Sequence, residues 1–157
     1  MKTLYHGSTV AVEHPLVQKG RRNLDFGQGF YVTDMVEQAR KWAERVSRQR
    51  IESPVISVYE FDEAYVTEGY LLFQSYDISW LEFIVKCRNG FDASSLWNVV
   101  EGGVANDRVI DTVEGYINGT IDAEHALAEL SKHKPNNQLC FLNQMIIDKY
   151  VKFKGTI

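Results

Sequence analysis

Hydrophobic and polar positions along the chain alternate in short runs of period two, broken by longer stretches of helical period. "TLYH" (residues 3–6) reads as a strand closed by Gly7 and Ser8. Residues 9–28 keep neither period and include Pro15, Gly20 and several charges, which predicts a long loop; a loop of that length in a small domain points to function. "GFYVT" (29–33) is a second strand. Positions 35–50 then switch to a helical period, with Met35, Ala39, Trp42, Ala43 and Val46 on one stripe. Asp34, with Glu37 three residues on, carries the signature of a capping box. "VISVYEF" (55–61), "YLLFQ" (70–74) and "WNVVEGG" (97–103) read as strands, and "ISWLEFIVKCR" (78–88) as a mostly buried helix. Asn106 or Asp107 is placed to cap a helix through Ile117 that stops at Asn118-Gly119, and Asp122 to cap another reaching about Lys132. Pro135 and two Asn lead into a strand "QLCFL" (138–142). Strands and helices interleave without strict alternation, which predicts an α+β fold with split, mostly antiparallel sheets rather than a doubly wound parallel one.

Composition narrows this picture without changing it. The 157 residues are 45% hydrophobic and 24% charged, with no repeat or low-complexity run, so residues 1–157 are expected to form a single domain. A net charge of −4 argues against a general nucleic-acid coat protein. Charge is uneven, however: from Lys19 to Arg50 eight Lys/Arg face four Asp/Glu, which leans toward a phosphate-bearing partner or a solvated helix face. Cys87 and Cys140 lie in apolar runs at no metal or redox spacing and read as buried free thiols. His14, His125 and His133 lack companions at ligand spacing, so no metal is expected. "MKTLYHGST" has no apolar signal core and no stretch is long enough to span a membrane, so a cytoplasmic location and no membrane partner are expected.

Three short stretches carry candidate chemistry: "LYHGS" (4–8), "FGQGFYVTDMVEQARKWA" (26–43) and "NNQLCF" (136–141). Taken singly, each has an ordinary structural reading as a strand end, a glycine turn or a late strand. Taken in order, they resemble the motifs of the ADP-ribosyltransferase superfamily, in its histidine–tyrosine–glutamate branch of poly(ADP-ribose) polymerases and diphtheria-toxin-like enzymes. The chain is most similar to small stand-alone bacterial members of that branch. The resemblance covers about 30 residues directly, and the element order is compatible over the whole chain.

The resemblance implies an ADP-ribosyltransferase-like fold around a cleft for NAD, used as co-substrate. It implies that His6 meets the adenosine ribose, that Gly7 and Ser8 follow as backbone contacts, and that Tyr31 stacks on nicotinamide. Arg21 and Arg22, in the loop 18–29, are both placed to meet the diphosphate, and the sequence does not separate them. Asn136 stands where relatives orient the acceptor. Gln138 takes the third motif position, where the branch usually has Glu; an amide can hydrogen-bond the ribose but carries no charge to stabilise the developing cation. Another acid, Asp25 or Glu101, is then a candidate to supply that charge. The implied activity is mono-ADP-ribosyl transfer to an intracellular acceptor (protein, nucleic acid or small molecule), with an antitoxin protein as partner if the chain is a toxin of such a pair. The alternatives are an NAD glycohydrolase and a non-catalytic module that binds NAD or ADP-ribose.

Overall fold

The computed structural model describes residues 1–105 and 107–157, and the backbone alone of Asp107, so the cap expected at Asn106 or Asp107 lies outside the described residues. Seven strands and five α-helices follow in the order β1 (Lys2–Ser8), β2 (Phe30–Val32), α1 (Val36–Arg50), β3 (Val55–Phe61), β4 (Tyr70–Leu72), α2 (Ile78–Arg88), β5 (Val99–Gly103), α3 (Asp107–Ile117), α4 (Ala123–Leu130), β6 (Asn137–Phe141), α5 (Gln144–Tyr150) and β7 (Val151–Thr156). The fold is α+β. One sheet has strand order β1-β3-β7 and the other β2-β6-β5-β4. Every pair is antiparallel except β4 with β5. A single bridge, Tyr5 to Thr33, joins the two sheets where β1 crosses the end of β2. No helix among the described residues is long and apolar enough to cross a membrane.

Side-chain alternation sorts the core into layers. Leu4, Tyr59 and Phe61 of the first sheet meet Phe30, Val32, Val99, Leu139 and Phe141 of the second, forming a core between the sheets. The next residues along the same strands, Val100 and Cys140, face the other way. There they pack under Trp80, Leu81 and Ile84 of α2, Val109 and Val113 of α3, and Leu130 of α4. On the outer face of the first sheet, Ala39 and Ala43 of α1 lie on Ile56 and Tyr5.

α1 corrects two expectations. Its N-cap is Met35, with no side-chain capping bond; the Met35 N–H is taken at 3.0 Å by the hydroxyl of Thr33, and Asp34 accepts from Asn137 at 3.3 Å. Thr33 reaches the helix start from a strand position that Asp34 has already left, so Asp34 serves the neighbouring strand instead. The buried face is Ala39, Ala43 and Ser47, while Met35 and Trp42 remain 41% and 45% exposed. The cause is Gly7: a Cβ there would stand 2.1 Å from the Ala39 carbonyl, so the helix lies directly on bare backbone and only small residues fit between. Elsewhere β3 and α2 match expectation to the residue. α5 and β7, at the C-terminal end, were not anticipated.

Candidate functional site

The end of β1 presents unpaired backbone. Tyr5 spends its N–H and C=O on Thr33, at 2.8 and 2.9 Å, along the edge facing β2. Alternation in a strand directs the N–H and C=O of Gly7, two residues on, to that same edge. Across the pair, Ile56 engages Ile157 and not Gly7. Continued antiparallel from the Tyr5–Thr33 bridge, Gly7 would come opposite Tyr31, but no backbone bond joins the two among the described residues, and the Tyr31 carbonyl is taken by the His6 ring. Gly7 is thus buried, with one face sealed by α1 and, among the described residues, no backbone partner on that edge.

His6 is fixed beside it. The Nδ1 of His6 stands 2.7 Å from the Tyr31 carbonyl, and its ring lies 4.7 Å from that of Phe30, tilted by 38°. A carbonyl only accepts, so Nδ1 carries the proton and the neutral ring turns an acceptor, Nε2, outward. Burial holds the imidazole below its ordinary value of 6.5, opposed in part by that bond to Tyr31. A neutral, single-tautomer imidazole with a free acceptor suits a sugar hydroxyl.

Tyr31 is less free than a stacking platform needs. Its hydroxyl donates to the Gly27 carbonyl at 2.5 Å and accepts from the Phe26 N–H at 3.0 Å, and its ring stacks with Phe26 at 6.5 Å. Burial pushes the phenol well above its usual range. Gly27 holds φ at +87°, a conformation other residues adopt at a cost, and this turns its carbonyl onto Tyr31. Phe26 and Gly27 therefore close a clamp on Tyr31: the loop is bonded to the strand that follows it.

Gln138 lies on the same face of the second sheet as Tyr31 and Cys140, because β2 pairs with β6 in the register Tyr31 to Cys140. It is only 8% exposed. Its Nε2 faces two acceptors, Asp25 Oδ2 at 3.5 Å and the Gly103 carbonyl at 3.4 Å. Asp25 is in turn held by Arg88, whose Nη2 and Nε approach its Oδ1 at 2.6 and 3.1 Å, and by the Ala105 N–H at 3.2 Å. Of the two acids considered for this position, Asp25 arrives and Glu101 does not. Glu101 pairs with Leu139 and projects from the opposite face, where Lys2, Tyr70 and Asn137 hold it.

The structure therefore brings His6, Gly7 and Tyr31 together at one edge, and Tyr31 and Gln138 to one face, with His6 on the other side of the β2 backbone. Ser8 ends β1, half-buried. Arg21 and Arg22 are exposed and form no ion pair among the described residues. A cavity of about 750 Å³ behind the loop is lined by Arg22, Gln18, Gln28, Asp92, Asn143 and Gln144 among others, and Arg21 is not in its wall. None of His6, Tyr31 and Gln138 lines it; of the motif stretches it takes only Gly27 and Gln28. Asn136 gives its carbonyl to Val104, while its neighbour Asn137 makes the side-chain bridges, to Asp34 and Glu101. Asp25 is one of the two acids the sequence offers, but its pairing with Arg88 is not legible there, since 63 residues separate them and no local pattern pairs them.

A family model described as "Protein of unknown function (DUF3990)" matches residues 2–153. The chain belongs to this family. The match runs from the first residue of β1 into β7, so the second sheet and every residue of the site fall within the DUF3990 region. No curated protein and no solved structure matches the chain.

Proposed function

We propose that the protein is a mono-ADP-ribosyltransferase that cleaves NAD at the nicotinamide–ribose bond and passes one ADP-ribose to an acceptor. The observation that carries this reading is the backbone edge at Gly7, without a partner among the described residues, beside a neutral His6. A paired backbone donor and acceptor is what a primary carboxamide such as nicotinamide recognises, and an outward imidazole acceptor takes a ribose hydroxyl. His6 and Gln138 lie on opposite faces of β2, and the family resemblance implies a dinucleotide that meets each of them with one ribose. In the reaction the C1′–nitrogen bond breaks with its electron pair leaving on nicotinamide; the acceptor forms the new bond to C1′ and gives up its proton. A cytoplasmic role as toxin of a toxin–antitoxin pair belongs to the same proposal and rests on the family resemblance alone.

The test is release of nicotinamide from NAD by the purified protein, followed with label on the adenylate to see what takes up ADP-ribose. Label on a macromolecule supports transfer, whereas free ADP-ribose with none bound identifies a glycohydrolase. His6→Ala should lower the rate by about 10- to 100-fold, the worth of one or two hydrogen bonds to a reacting ligand. Wild-type rates in that variant would remove His6 from the site. The second reading, a non-catalytic NAD-binding module, is favoured by one observation: Gln138 is uncharged and covered by Asp25. Tight NAD binding with neither nicotinamide release nor label would select it.

A further inference from the structure

We propose that Asp25 is the positioning carboxylate of this site, setting from the loop a carboxylate oxygen against Gln138, which has no charge of its own; this rests on the NAD reading above. Gln138 is nearly buried, and both groups next to its Nε2 are acceptors: the Asp25 carboxylate at 3.5 Å and the Gly103 carbonyl at 3.4 Å. Both bonds are long, so it is less their strength than their sign that sets the amide. Turned over, its carbonyl would face two other oxygens. The amide is thereby held with Oε1 away from Asp25, as a hydrogen-bond acceptor, and no hydrogen bond occupies Oε1 among the described residues. A carboxylate next to an amide N–H₂ also increases the negative character of the amide oxygen.

Asp25 is built for this task. It is 14% exposed, and Arg88 grips one oxygen with two donors, leaving the other to Ala105 N–H and Gln138. Its place in the chain is fixed from the other side too, because the next two residues, Phe26 and Gly27, are bonded to the Tyr31 hydroxyl. One loop therefore sets both the tyrosine and the glutamine of the motif. With Arg88 on the far oxygen, what the amide meets is the local field of Asp25 Oδ2 rather than a net charge. A ribose hydroxyl would meet Gln138 Oε1 and feel Asp25 through it.

The experiment is a charge-swap cycle in the full chain: Asp25→Asn, Gln138→Glu and the double substitution, each with nicotinamide-release kinetics and a thermal melt. Asp25→Asn should lower kcat by about 10- to 100-fold with KM within about threefold, since it leaves the shape and removes the charge. Gln138→Glu alone should be at least as slow, because it sets two carboxylates against each other. The double variant should return to within about threefold of wild type. A merely structural Asp25 predicts no such rescue. Wild-type kcat in Asp25→Asn, or a double variant no faster than either single one, overturns the proposal. Should wild type release no nicotinamide, the NAD reading fails. The positioning claim is then decided in the ligand-free protein: the Gln138 side-chain amide resonances should shift and exchange faster with solvent in Asp25→Asn, and unchanged resonances overturn it.

Discussion

At the scale of single residues, the two groups that hold the motif together are distinguishable by experiment. His6 is kept neutral by burial, its pKa below 6.5, while the unfolded chain keeps the ordinary value. Between the two values the unfolded chain binds the extra proton and the folded chain does not, so stability rises with pH across that window. The contribution is present above about pH 6.5 and is lost progressively as pH falls below it. Melting curves at pH 7.5 and 5.5 should show wild type losing more stability on acidification than His6→Gln, which cannot take the proton. Equal losses would show that the imidazole is solvated in the fold. Tyr31→Phe tests the clamp instead: it leaves the Phe26 N–H and the Gly27 carbonyl without their partner. The expected cost is about 1–3 kcal/mol in urea unfolding, since a stranded polar group loses its hydration as well as its bond.

At the scale of elements, β1 and α1 are one unit because of Gly7. Gly7→Ala would set a methyl group 2.1 Å from the Ala39 carbonyl and 2.9 Å from the Ala43 nitrogen, both backbone atoms of α1 that no rotamer change can move. The helix must shift, at about 2–3 kcal/mol by the usual cost of overpacking, which a denaturant midpoint would register. The same contact explains what the sequence concealed. Helical period located α1 to within a residue and put Ala39 and Ala43 on its buried side, yet placed Met35 and Trp42 on the same stripe. Period reports that a helix has an apolar side; it does not report that its partner surface is a glycine strand admitting only Ala39, Ala43 and Ser47. The cap at Asp34 failed for a related reason: the capping-box pattern is local, while the oxygen that meets Met35 belongs to a strand residue, Thr33, held by the Asn137 carbonyl from 104 residues away. β7 was legible in part, since "VKFKGT" alternates apolar and basic residues. α5, seven residues long, is too short to show a period.

Across the whole molecule, Glu101 does for the sheets what Asp25 does for the site. The motif order HGS, GQGFY and NNQ was visible in the sequence, but which acid meets Gln138 was not, because facing depends on register. β5 pairs Gly102, not Glu101, with Gln138, and that single step turns Glu101 to the opposite face. There its carboxylate accepts from Lys2 of β1 at 3.1 Å, from Asn137 of β6 at 2.9 Å and from the Tyr70 hydroxyl of β4. Four strands from both sheets are tied to one carboxylate. Burial pushes its pKa up, but the Tyr70 and Asn137 bonds and the Lys2 ammonium outweigh that and hold it below the ordinary 4.5. A carboxylate lowered by folding stabilises above its unfolded pKa and loses that contribution as pH falls through the folded one. Glu101→Gln should therefore cost about 2 kcal/mol at pH 7, the worth of a charge-assisted hydrogen bond, since it leaves Lys2 with Glu63 alone at 3.5 Å. That deficit against wild type should shrink below about pH 4.5, as wild type itself becomes protonated. Because Glu101 projects from the face opposite Gln138, nicotinamide release by the folded fraction should stay near wild type. Loss of release in Glu101→Gln at full folding, with Asp25→Asn still active, would exchange the roles assigned to the two acids.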